Sequence, residues 1–402
     1  MVLAGLISLF TDVTYEGARS VTGPFLLQLG AGAAVVGWTA GLGEFVGYAL
    51  RLPFGRVADR TGRYWFLAGL GYVLNLVAVP LLALAGNWPV ASGLILLERF
   101  GKAIRTPARD AMLSFAVQQT GRGYGFGLHE ALDQVGAVVG PLVVAFVLAQ
   151  GGGVRRAFAW LAIPAALTLA LLVVTRWRYP APQEFEGPPG CEGRPGDQAS
   201  APAAGRPRAG TADPPAGLGP LLPFFGFIVL SVAGFAHFQL LAYHFEHRGV
   251  LDEPSIPMAF ALAMAVDAVS ALALDRLYDR HGLRTLMALP LFTAEGALAL
   301  GPSARVVWIG ILAWGAALGL QESILRAALA DLTPPGGRAT AFGVFSLLFG
   351  GAWLAGSVVM GWLYEHGTGY VVGFSLLTQV LAGLVLYVVF KTRATEPARR
   401  RP

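Results

Sequence analysis

Apolar runs about 20 residues long, enough to cross ~30 Å of hydrocarbon, recur along the whole chain between short polar or glycine-rich breaks. They predict twelve membrane-spanning helices. Six lie at about 2–29, 34–54, 64–85, 90–113, 122–149 and 156–176, and six more at about 221–245, 255–275, 285–301, 304–330, 338–364 and 369–390. The connections alternate in character. With the N-terminus inside, the inner segments carry eighteen Lys and Arg, among them Arg56, Arg60, Arg63, Arg276, Arg280 and Arg284. The outer segments carry four, Arg155, Arg156, Arg248 and Arg305. Cytoplasmic loops are the side enriched in Lys and Arg, so both termini are expected in the cytoplasm and the chain in the inner (plasma) membrane. The first run starts at Val2 with neither a basic n-region nor a small-residue cleavage site, and reads as a retained span.

Composition agrees: of 402 residues 55% are hydrophobic and only 13% charged, whereas soluble domains are nearer a quarter charged. The expected fold class is an all-α polytopic membrane protein. The net charge of +5 is accounted for by the inner loops, so it marks topology and not a nucleic-acid surface. Cys191 is the single cysteine, which excludes an intrachain disulfide and a cysteine-based metal site. Between Pro180 and Pro220, eighteen residues are Pro or Gly and few are large and apolar. Such a segment cannot bury enough surface to offset its ordering entropy. The expected organisation is therefore a six-helix bundle at 1–178, a disordered cytoplasmic linker at 179–220, a second bundle at 221–391 and a basic tail at 392–402.

The two halves also repeat. GRVADRTGRY (55–64) aligns with DRLYDRHGLR (275–284), which sets Asp59 on Asp279, Arg60 on Arg280 and Gly62 on Gly282. RGYGFGLHEALDQVGAVVGP (122–141) aligns with RATAFGVFSLLFGGAWLAGS (338–357), and Arg105 and Asp110 fall on Arg326 and Asp331. Two parallel six-span repeats joined by a linker suit a transporter whose halves rock about a central site.

GRVADRTGRY, in the basic loop between spans 2 and 3, resembles the signature G-x-x-x-D-R-x-G-R of the major facilitator superfamily. GKAIRTPARDAM followed by RGYGFGLHEALDQVGAVVGP is similar to a bacterial branch of that family known broadly as permeases. The resemblance covers essentially the whole chain. It implies twelve helices in two pseudo-symmetric six-helix bundles, alternating access and a monomer. It also implies a cytoplasmic gate built from Gly55, Asp59, Arg60, Gly62 and Arg63, with Asp279, Arg280 and Gly282 as its echo. In the family the motif's Asp and Arg bond a fourth-span acid when the inner side is shut, which assigns Asp59, Arg63 and Asp110 to a latch. GAVVGP (136–141) is similar to the fifth-span glycine motif of the family's antiporters, but Val144 and Ala145 stand where its second glycine pair belongs. Gly136 and Gly140 then read as places where two helices approach closely.

Charges inside apolar spans are costly, at ~2.5–3.5 kcal/mol each by insertion scales, so each needs a partner or a hydrated passage. On span 4, Glu98, Lys102, Arg105 and Arg109 recur at helical spacing and form one stripe. Either the span ends near Phe100 and the rest is solvated, or Glu98, Lys102 and Arg105 face a cavity while Arg109 and Asp110 are structural. On span 1, Asp12, Glu16 and Arg19 share a face, as an internally cancelled group or as a proton or ligand site. Glu44 and Arg51 share a face of span 2. Span 5 carries His129, Glu130 and Asp133 in HEALD. The zinc pattern H-E-x-x-H lacks its second His here, so a His–carboxylate relay fits better than a metal. In the second half, His237 and His244 share a face of span 7, with His237 aligned to Asp12. Asp267 stands alone in span 8, as a proton-coupling acid or as a partner of Arg326 or a histidine. Glu322 and Arg326 share span 10. Trp65, Trp88, Trp160, Trp177, Tyr243 and Tyr364, near span ends, read as interface anchors.

No P-loop GxxxxGK[ST] occurs, so nothing supports ATP-driven pumping, and no cofactor, metal or enzymatic activity is expected. The leading expectation is a proton-coupled secondary transporter of a small polar, anionic or zwitterionic solute. Drug efflux is the alternative within the class, and a transport-dead sensor or scaffold the alternative outside it.

Overall fold

The computed structural model describes residues 2–117, 122–181, 219–334 and 337–395. Most of the expected linker, from 182 to 218, and the tail beyond 395 lie outside the described residues. What is described is helical, with no strand.

Span 1 is α1 (Val2–Arg19) continued by α2 (Thr22–Gln28), and span 2 is α3 (Ala33–Ala49) running into α4 (Arg51–Thr61). Spans 3 to 5 are α5 (Tyr64–Leu81), α6 (Trp88–Val117) and α7 (Arg122–Ala149), and span 6 is α8 (Gly153–Trp160) with α9 (Ala162–Arg178). In the second half, span 7 is α10 (Leu222–Ala233) with α11 (Phe238–Arg248), and span 8 is α12 (Ser255–His281). Span 9 is α13 (Ala288–Gly296) between two 3₁₀ turns, and span 10 is α14 (Ala304–Glu322) with α15 (Ile324–Leu332). Spans 11 and 12 are α16 (Arg338–His366) and α17 (Thr368–Thr395).

By length and composition alone, nine helical stretches among the described residues could cross a membrane. One of them, Ser255–Leu300, turns at Gly282 and holds two spans. The two spans missing from that set are 1 and 4, which carry Asp12, Glu16 and Arg19, and Glu98, Arg99, Lys102 and Arg105. Membrane crossing and a uniformly apolar sequence thus part company where the charges are.

Span 4 stays helical through Pro107, because the proline removes one donor and one bond without stopping the helix. Span 7, expected as one helix, is broken between Ala233 and Phe238. Inside a membrane such a break survives only if its freed carbonyls find donors. They do: Ser375 Oγ donates to Gly234 O at 2.7 Å, Trp314 Nε1 to Ala236 O at 2.8 Å and Gln379 Nε2 to Ser231 O at 3.1 Å. Glycine closes the signature loop: Gly62 ends α4 at φ +63°, and Gly282 ends α12 at φ +60°, a left-handed region that favours residues without a Cβ.

Each half packs within itself, α1 against α7 and α9, α5 against α6, α12 against α14, and α10 against α17. The halves meet through α3 and α16, α7 and α12, and α2 and α11. The close approach expected at Gly136 and Gly140 is present and its partner is span 1, since a β-carbon on Gly140 would stand 2.9 Å from Gly17 N. Gly140→Val is accordingly expected to destabilise the first half by about 1–3 kcal/mol through overpacking, read as a lower melting temperature of the detergent-solubilised protein.

Trp88, Trp160 and Trp177 are exposed, as membrane-interface anchors are. Tyr243 and Tyr364 are not anchors of this kind. Both are buried, with ring centroids 5.6 Å apart in a T-shaped contact, because the halves close on each other at that end of the bundle. There His244 Nδ1 also lies 2.9 Å from Tyr364 Oη, which places His244 at the sealed end and away from the charged centre.

Candidate functional site

Between the halves lies a cavity of about 280 Å³. Spans 1, 2, 4 and 5 wall one side, and Met264, Asp267, Leu318, Glu322, Arg326, Phe349 and Trp353 form the other. Arg51, Asp110 and Arg326 edge it toward the arginine-rich end, where the side chain of Asp110 is 55% exposed. Of the residues singled out above, Asp12, Glu16, Arg19, Glu44, Lys102, Arg105, Glu130, Asp133, Asp267, Glu322 and Arg326 line it. The stripe on span 4 is therefore not a solvated helix end. Its Lys102, Arg105 and Arg109 are cavity wall.

The wall is organised as a chain of alternating charges. Arg19 reaches Glu16 at 3.5 Å and Glu44 at 3.3 Å, and Arg99 reaches the same Glu44 oxygen at 3.3 Å and Glu98 at 3.2 Å. Asn75 closes the chain by donating to Glu98 Oε1 at 2.6 Å. Buried ions are tolerable only when paired and hydrogen-bonded in this way. Glu44 is the centre, holding span 1 to span 4 through two guanidinium groups. Glu98, expected to face the cavity, instead backs this chain and lies outside the cavity lining. Arg99 was not singled out, since it sits about 100° around the helix from Glu98 and off the stripe. Its signal was a charge in an apolar span, the same that marked its neighbours.

Two cations are left outside the chain. Lys102 Nζ donates to the neutral phenol of Tyr15 at 3.0 Å and lies 4.1 Å from the centre of its ring. Arg105 is 1% exposed, with its guanidinium 4.7 Å from the Tyr72 ring centre, and its Nε and Nη1 reach no acceptor among the described residues. Across from them, Ser8 donates to Asp133 Oδ1, and the carboxyl groups of Asp133 and Asp12 come into hydrogen-bond reach of each other between spans 5 and 1.

Several expectations are corrected. His129 and Asp133 form no relay pair: Asp133 turns to Ser8, while both ring nitrogens of buried His129 lack a partner among the described residues, and His129 does not line the cavity. Asp267 bonds neither Arg326 nor a histidine. Gln134 of span 5 faces it from the other half across the same cavity. His237 is buried in the break of span 7 behind Trp353, ring centres 4.2 Å apart, and is not itself part of the lining.

At the arginine-rich end, Asp59, Arg60 and Arg63 are exposed and no ion pair joins them to Asp110 among the described residues. Asp110 is held by its neighbour Arg109 at 2.9 Å. Gly55 packs against Pro107 of span 4. Asp279 and Arg280 of the echo are exposed too. The adjacent Tyr278 donates to Asp331, the counterpart of Asp110, at 2.8 Å.

The sequence profile of the Major Facilitator Superfamily matches residues 5–250 and 221–402. An uncharacterized protein of Mycobacterium tuberculosis is 43% identical over 387 residues, covering 96% of this chain and 91% of its own. An uncharacterized MFS-type transporter of Methanocaldococcus jannaschii is 25% identical over 396 residues, 96% of this chain and 94% of the relative. The crystal structure of the nucleoside transporter NupG superposes with a TM-score of 0.71 at 13% identity, over 98% of this chain and 99% of that one, a likeness of fold alone. Like halves close round a charged centre and one family profile runs through both, so the chain belongs to the Major Facilitator Superfamily of membrane transporters.

Proposed function

We propose that the chain carries a small anionic or zwitterionic solute across the inner membrane by alternating access, coupled to protons, as a monomer with both termini in the cytoplasm. One observation carries this reading. Arg19, Arg99 and Arg109 of the first-half lining each have a carboxylate within 3.5 Å, while Lys102 and Arg105, deeper in the cavity than Arg51 at its edge, have none. A buried arginine and a half-buried lysine three residues apart, with no carboxylate to offset either, favour a negative group brought in by a ligand. A cavity of about 280 Å³ is below the usual range for drug-sized ligands, and its lining is mostly ionic, both of which speak for a small polar solute over drug efflux.

Asp12 and Asp133 are the proposed proton carriers, since two carboxyl groups in mutual contact hold a proton between them more readily than two negative charges. Asp267, Glu130, Glu322 and Arg326 are the second half's side of the same passage, with Gln134–Asp267 as a polar contact between the moving bodies. Residues 1–178 and 221–391 are proposed as those bodies, and Asp59, Arg63 and Asp110 as the latch that forms when the arginine-rich end shuts. No catalytic residue, cofactor or metal is assigned.

Purified protein in proteoliposomes, given a pH gradient and a panel of labelled organic acids, amino acids, sugars and cationic dyes, is expected to move an anionic or zwitterionic member. Lys102→Gln and Arg105→Gln should each raise its KM roughly 10- to 100-fold, the loss of one or two charge-assisted hydrogen bonds. Movement of the dyes with indifference to both substitutions would establish drug efflux instead. Binding without net movement would establish a sensor.

A further inference from the structure

At the end opposite the arginine-rich loops the halves touch, and one contact there has an unusual form. Helix α3 begins at Ala33 with Gly32 as its N-cap residue, and Gly32 supplies no side chain to the first turn. The N–H groups of a first helical turn have no partner within the helix and are ordinarily served by a Ser, Thr, Asp or Asn at the cap. Here the partner comes from the other half of the molecule. Glu365, in the last turn of α16, accepts the N–H of Ala34 at 3.2 Å. Beside it in the chain, Tyr364 is held within its own half by His244 at 2.9 Å. The end of span 11 thus grips both halves, through Tyr364 inward and through Glu365 across the interface.

Gly32 is part of the device. A β-carbon there would stand 2.7 Å from Glu365 Oε1, so any larger residue would displace the carboxylate it faces. A carboxylate at a helix N-terminus is also favoured by the helix dipole. When the halves separate at this end, α3 loses the cap, and nothing in its own first turn replaces it.

We propose that Glu365 is a cap supplied across the interface, a lock that stabilises only the state sealed at this end. The inference rests on the contact between halves and not on which solute is carried.

Spin labels at Gln28→Cys and His366→Cys, in a Cys191→Ser background, report the opening of this end as distance distributions by pulsed electron resonance on the full-length protein. Glu365→Ala is expected to raise the ratio of long to short distances about fivefold, the usual worth of one helix cap. Gly32→Ala should reproduce that shift from the other side of the contact. Glu365→Gln keeps a carbonyl acceptor and should stay within about twofold of the parent. Unchanged distributions in both alanine variants, in protein that elutes as a single folded species, would overturn the lock. So would a shift in Glu365→Gln as large as in Glu365→Ala, which would assign the effect to charge and not to capping.

Discussion

Glu44→Ala is expected to be the most damaging single substitution in the cavity wall. Its carboxylate takes Arg19 and Arg99, each at 3.3 Å, on one oxygen, and both guanidinium groups are largely buried, with side chains 12% and 6% exposed. Removing one partner of a buried ionic group costs about 3–5 kcal/mol, because the remaining charge stays desolvated. Two cations would be stranded at once, Arg19 keeping only the longer contact to Glu16 and Arg99 only that to Glu98. Thermal unfolding in detergent should show the loss, and transport should fall with it. Glu44→Gln keeps the acceptor and removes the charge, and should lie between. A Glu44→Ala protein as stable as the parent would show that the chain of ion pairs is not what holds span 1 to spans 2 and 4.

The second large effect concerns coupling and not stability. One proton moving with each solute converts a gradient of one pH unit, about 1.4 kcal/mol, into roughly tenfold accumulation. If Asp12 and Asp133 carry that proton, Asp133→Asn should lower accumulation to a ratio of about one while exchange of labelled for unlabelled solute continues. Persistent exchange is the diagnostic part, since a variant that merely misfolds loses both. Tenfold accumulation retained in both Asp133→Asn and Asp12→Asn would remove the pair from the proposal and shift attention to Asp267, the buried acid of the second half's lining.

The architecture was legible in the sequence because it follows from one solvent. Hydrocarbon leaves backbone groups no partner but the helix itself, so run length and loop charge reported the spans. Where that logic met charged spans it still held, since an ion in lipid has to face something wet or opposite in sign. For that reason eleven of the fourteen candidate cavity residues line one cavity. The three that do not, Glu98, His129 and His237, failed for a shared reason. Helical periodicity states which residues share a face, but not how far that face is rotated toward the neighbouring helix. Arg99 was overlooked by the same limit, as was Gln134, an uncharged residue that stands opposite Asp267 only once two halves are docked.

Helicity, membrane spanning, the internal repeat and a charged centre could all be read along the chain, because each of those properties is a sum over local preferences and solvation. Pairing was decided by the tertiary structure alone. Glu44 sits between two arginines more than fifty positions apart in the chain, Lys102 and Arg105 are left without a carboxylate, and Glu365 serves a helix that starts over three hundred residues earlier. A charge–charge contact depends on distances of a few ångströms set by how helices dock, and no local pattern along the chain encodes that docking.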